Sequence, residues 1–101
     1  MSESTSNYRL PGEATLRNAA KIAIVEDKPI LLDYWTSSID KTSLIGAKDN
    51  NEKLLVKNEE EYTSTIAKFY KTKNGTHSEL IIITENSIYI VDGEIPSRKI
   101  S

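Results

Sequence analysis

The sequence predicts an α+β domain: one N-terminal helix from about Glu13 to Glu26, then five or six mostly antiparallel strands in a strongly curved sheet or small barrel. Three observations carry this reading. Apolar residues recur at helical spacing up to Glu26, the period becomes that of strands after Pro29, and Asn74-Gly75 marks a tight hairpin. With 101 residues the chain suits one domain that buries about 60–70% of its unfolded surface.

Residues 1–12, MSESTSNYRLPG, hold no packing pattern and predict a flexible or partner-bound arm, with 13–101 as the single domain. They also lack the apolar run of a secretory signal, so an intracellular protein is expected. In the helix, Leu16, Ala19, Ala20, Ala23 and Ile24 form one stripe, rich enough in alanine for close approach to a neighbour. Asp27-Lys28-Pro29 ends it, because a residue before proline is pushed out of the α region.

Pro29 opens ILLDYW, a near-continuous apolar run of strand length from Ile30 to Trp35. TSLIGA and KLLVK, joined by the turn-rich KDNNE, read as a hairpin, and NEEEYTS reads as a solvated connector. Three further strands follow over about Thr65 to Thr72, Glu79 to Thr84 and Ser87 to Val91. With Asn74-Gly75 as a two-residue loop, Phe69 faces Leu80 and Ala67 faces Ile82 on a core face. Tyr70 then faces Glu79 and Ile66 faces Ile83 on the other side. A second loop at Glu85-Asn86 pairs Ile82 with Tyr89 and Leu80 with Val91.

The strand LIIIT is therefore apolar on both faces, and one short helix cannot cover both. Either the sheet curls into a small barrel or folds over so that strands near Leu31, Trp35, Leu44 and Leu54 cover the second face, or another protein covers it. The second option makes Ile81, Ile83, Ile88 and Ile90 interface candidates, together with Tyr8 and Arg9 in the arm.

Several chemistries are excluded. No cysteine is present, so thiolate catalysis, disulfides and the usual structural zinc sites fall away. The phrase DKPILLDYW is similar to the approach to a thioredoxin dithiol, but Ile39 and Thr42 stand where the two cysteines would be. His77 is the single imidazole and lies at a hairpin tip, away from any glycine-flanked nucleophile elbow. Glu59-Glu60-Glu61 reads as a solvated run, and four glycines form no phosphate-binding loop. Asn74-Gly75-Thr76 matches a glycosylation sequon that needs a secretory route. No stretch approaches the ~18 apolar residues of a membrane span. No catalytic residue, metal or cofactor is expected.

A net charge of −2 gives no global attraction to nucleic acid. Locally, Lys68, Tyr70, Lys71 and Lys73, with Arg98 and Lys99, offer cations and an aromatic for single strands.

The segments AAKIAIVEDKPILLDYW, LIGAKDNNEKLLVKNEEEYTSTIAKFYK, ELIIITENSIYIV and IPSRKIS resemble a group of small uncharacterised proteins of nucleocytoplasmic large DNA viruses, over about residues 16–101. The resemblance implies a viral protein, such as a minor capsid or other virion-associated component. The expected function is thus a non-catalytic structural or interaction protein that docks on a larger protein assembly, on capsid proteins or on a second copy of itself. The alternatives are a nucleic-acid-binding accessory protein and a catalytically dead thioredoxin-like adaptor.

Overall fold

The computed structural model describes residues 9–100. Helix α1 (Glu13–Glu26) ends as the sequence predicts, with Asp27 left-handed at φ 56° two residues before Pro29. A short strand β1 (Ile30–Leu31) leads to helix α2 (Trp35–Ile39), and the strands β2 (Leu44–Ala47) and β3 (Lys53–Asn58) follow as an antiparallel hairpin. Then come β4 (Glu61–Tyr62), β5 (Ile66–Asn74), β6 (His77–Thr84), β7 (Ile88–Asp92) and β8 (Ser97–Lys99).

The class is α+β, but the described residues hold eight strands in two sheets where one curved sheet or small barrel was expected. The first sheet has the order β1-β7-β6-β5 and the second β4-β3-β2-β8. Neighbours run antiparallel, except that β1 lies parallel to β7 and β8 parallel to β2. The result is three layers. Both helices cover one face of the first sheet, and the second sheet covers the other.

Strand β6 explains the layering. Ile81 and Ile83 join Ile88, Ile90, Ala19 and Trp35 under the helices, while Leu80 and Ile82 join Val91, Leu55, Tyr34 and Ile95 between the sheets. Full burial of each large aliphatic side chain contributes about 1.5–3 kcal/mol. The chain's own second sheet thus covers the face that sequence left open, which is the folding-over alternative.

Four local expectations change. The extended run ends at Leu31, because residues 32–34 turn into α2 and send Tyr34 and Trp35 to opposite cores. The buried stripe of α1 holds Thr15 and Ala19 with Ile22 and Ala23 half-buried, whereas Ile24 is 81% exposed. A polar anchor at Thr15, described below, rotates the helix away from the face that apolar spacing alone selects. The β5–β6 loop is Gly75-Thr76, flanked by the pair Asn74 and His77. Gly75 alone takes a positive φ (64°) there, as the first loop position of a type II′ turn requires. Phe69 therefore faces Ile82 and Tyr70 faces Ile81, a slip of two residues that leaves Lys68 to Lys73 on their expected faces. Ile66, expected on the Tyr70 face opposite Ile83, instead pairs with Thr84 and packs between the sheets, because the register shift at Ala67 turns it over. The Glu85-Asn86 register stands as expected, with Ile82 opposite Tyr89 and Leu80 opposite Val91.

Burial raises the Tyr34 phenol from 10.0 to about 12, helped by the charges of Glu61 and Asp33 and by Tyr89. The fold thus favours the protonated phenol, a contribution complete below pH 10.0 and lost as pH climbs toward 12. Chemical denaturation across that window should reveal a stability decline that Tyr34→Phe lessens. At neutral pH, Ile81→Ala should cost about 2–5 kcal/mol by urea denaturation, and Ile24→Ala less than about 0.5 kcal/mol.

Candidate functional site

The four isoleucines proposed as an interface, Ile81, Ile83, Ile88 and Ile90, are fully buried in the chain's own core beneath α1 and α2. They are corrected from contact candidates to core residues, because the helix pair supplies the cover that a partner would have given. Tyr8 lies outside the described residues. Arg9 is also reassigned: it is seated on the first sheet, so residues 9–12 form part of the domain.

The seat is a buried acid pair. Glu79 on β6 and Asp92 on β7 stand directly opposite each other, two like charges that need a cation between them. Arg9 donates to Asp92 Oδ1 at 2.7 Å and approaches Glu79 Oε2 at 3.8 Å. Its guanidinium lies 5.1 Å from the Trp35 ring centre, and Trp35 Nε1 donates to the Arg9 carbonyl at 2.7 Å. Lys41 adds a second cation, 3.3 Å from Asp92 Oδ2.

Glu79 also closes the start of α1, whose N-cap Gly12 has no side chain to do so. The Gly12 N–H donates to Glu79 Oε1 at 3.0 Å, the Thr15 hydroxyl donates to the same oxygen, and Asn74 Nδ2 donates to Oε2 at 3.2 Å. An anion at a helix N-terminus also complements the helix dipole. Burial by itself raises the Asp92 carboxyl. Hydrogen bonds from Arg9, the Glu94 N–H and Lys41, with the charge of Lys41, outweigh that and hold it below 3.8.

The basic candidates do not form one surface. Lys68 and Tyr70 stand on the α1 side of β5, where Lys68 pairs with Glu26 at 3.4 Å, whereas Lys71 and Lys73 stand on the opposite side. Arg98 borders a groove of about 690 Å³ with Leu44, Leu54, Val56 and Tyr62 on the second sheet. Lys99 pairs with Asp49 at 3.2 Å. His77 is exposed beside the hairpin turn, and Glu61 pairs with Lys57 at 3.2 Å. Among the described residues, no group of three or more His, Asp or Glu could hold a metal ion, and no helix is long and apolar enough to cross a membrane.

What the structure does bring together is the nine-residue strand β5. It ends the first sheet, pairs only with β6 among the described residues, and is exposed over most of its length. Phe69, expected in the core, is 56% exposed and Tyr70 is 46% exposed. Phe69 does point toward the second sheet, sharing its face with Ile82, but that sheet stops short of covering it. An open cleft of about 680 Å³ remains there, bordered by Ile45, Ile66, Ala67, Phe69 and Ile82. The register shift between Ile66 and Lys68 leaves Ala67 as a bulge at its mouth.

No family model matches the chain, and no curated protein or solved structure matches it either.

Sequence reasoning missed Phe69 because strand alternation gives the face of a residue and not the extent of the layer opposite. It missed the acid pair although the signal was present: the register that pairs Leu80 with Val91 also sets Glu79 against Asp92.

Removing the shared cation should be costly. Arg9→Ala should lose about 1–3 kcal/mol in urea denaturation, and Arg9→Lys should restore only part, since a point cation cannot fork between two carboxylates. The lowered Asp92 carboxyl stabilises the fold fully above 3.8 and stops doing so as pH falls through its lower folded value. Asp92→Asn should therefore be less stable than the parent at neutral pH, with the gap narrowing on acidification below pH 3.8.

Proposed function

We propose that the chain is a non-catalytic interaction protein that docks on a larger protein assembly through the outer edge of β5. The observation that carries this reading is the edge itself: nine residues long, without a partner strand among the described residues, and bearing two half-exposed aromatic rings. Unpaired strand edges are ready templates for another chain, and proteins usually shorten, bend or cover them. Here Lys68, Lys71 and Lys73 restrain indiscriminate pairing, while Phe69 and Tyr70 supply apolar contact area of the kind enriched at protein interfaces. The resemblance to small proteins of nucleocytoplasmic large DNA viruses suggests a setting, a virion-associated or minor capsid role in which the partner belongs to the particle.

Nucleic-acid binding has weaker support. Single strands need stacking rings and cations along one continuous track. The two rings of β5 lie on opposite faces, its lysines divide likewise, and Arg98 and Lys99 belong to the other sheet. The thioredoxin-like adaptor loses its main support, since the strand on which it rested ends at Leu31.

A photo-crosslinking residue placed at position 69 should join the chain, in the cells or particles where it is made, to one defined protein. The same group at the exposed Thr36 should not. With the crosslinking residue kept at position 69, Tyr70→Asp together with Lys71→Glu should abolish that product while leaving the circular dichroism spectrum unchanged. Equal labelling from both positions, or a product that survives the double substitution, would refute the docking edge.

A further inference from the structure

We infer that the partner of β5 is an extended segment that carries two adjacent apolar residues flanked by acidic ones, added to the first sheet as a fifth strand; this rests on the reading of β5 as the docking edge. The chemistry follows from the strand's side chains. From Lys68 to Lys73 the order is basic, aromatic, aromatic, basic, polar, basic, and β5 contains no carboxylate although the whole chain carries a net charge of −2. An added strand sets one side chain opposite each of these, with successive residues on alternate faces.

On the side facing the second sheet, the partner meets Phe69, Lys71 and Lys73, with the open cleft beside Phe69. An apolar side chain there covers the Phe69 ring and enters the cleft mouth, and two carboxylates further along meet the two lysines. On the α1 side it meets Lys68, Tyr70 and Thr72. Complementarity there calls for an acidic, an apolar and a polar residue.

A second copy of this chain fits poorly. Pairing β5 with β5 would line one seam with three lysines from each copy and no carboxylate, and like charges across strands are destabilising. Backbone pairing supplies affinity along the edge, and the alternating side chains supply selection.

The probe is a capped, fluorescently labelled peptide, Glu-Thr-Glu-Val-Val-Glu, which pairs antiparallel with Lys73 to Lys68. Fluorescence anisotropy at low salt should detect binding, and amide hydrogen exchange should show new protection within β5. Lys71→Glu with Lys73→Glu should weaken binding about tenfold or more, and reversing the peptide's three Glu to Lys should do the same to the parent protein. Methylating alternate backbone nitrogens of the peptide on the edge-facing side should abolish binding, because the added ladder loses its donors.

Binding that is indifferent to N-methylation or to the charge reversals would overturn the inference. So would an oligothymidylate of equal length that binds more tightly and displaces the peptide. These failures differ from failure of the docking edge: a partner that still crosslinks at position 69, but leaves β5 amides unprotected, would preserve the edge as an interface and refute strand addition.

Discussion

Strand β6 must bury both of its faces, and the rest of the molecule is arranged around that need. Leu80, Ile81, Ile82 and Ile83 point alternately to the two sides of the sheet, so leaving either side open would expose about 1.5–3 kcal/mol of burial per side chain. One helix can shield only one side. A second sheet on the far side completes the burial, and the chain passes between the sheets three times, from β1 through α2 to β2, from β4 to β5, and from β7 to β8.

The same strand carries a buried charge. Glu79 continues the helix-side row of Ile81 and Ile83, which would be expensive for an isolated carboxylate. The cost is offset by using that carboxylate to close α1, through Gly12 and Thr15, and by sharing Arg9 with Asp92. One polar cluster therefore fixes the rotation of α1, seats residues 9–12 and ties β6 to β7. Hydrophobic packing holds the layers together, while the acid pair decides how the helix lies on them.

The candidate docking strand differs because of its position. β5 has β6 on one side and no neighbouring strand on the other among the described residues, and the second sheet leaves Phe69 half open. Its lysines suit that exposure, since charge on an edge limits unwanted pairing while leaving a route for a chain of opposite charge. The acidic balance of the whole chain conceals this local basic run.

Features governed by local chemistry were legible in the residues themselves. Pro29 and the left-handed Asp27 end α1, KDNNE turns β2 into β3, and the short Glu85-Asn86 loop sets the β6–β7 register, all without reference to distant contacts. From Lys68 to Lys73 face alternation also survived the misplaced loop, because moving the turn from Asn74-Gly75 to Gly75-Thr76 shifts the pairing by two residues and strand side chains repeat every two; before that, the bulge at Ala67 carries Ile66 to the other face. Tertiary structure alone decided the turn of ILLDYW into α2, the rotation of α1 and the exposure of Phe69. Each depends on something no local period encodes: Trp35 reaching the Arg9 carbonyl, Thr15 reaching Glu79, and a second sheet that ends before it covers β5. The sequence by itself determined which elements form and which faces they bury; the fold decided which of those faces meet a neighbour, because that depends on the finite extent of the layer opposite.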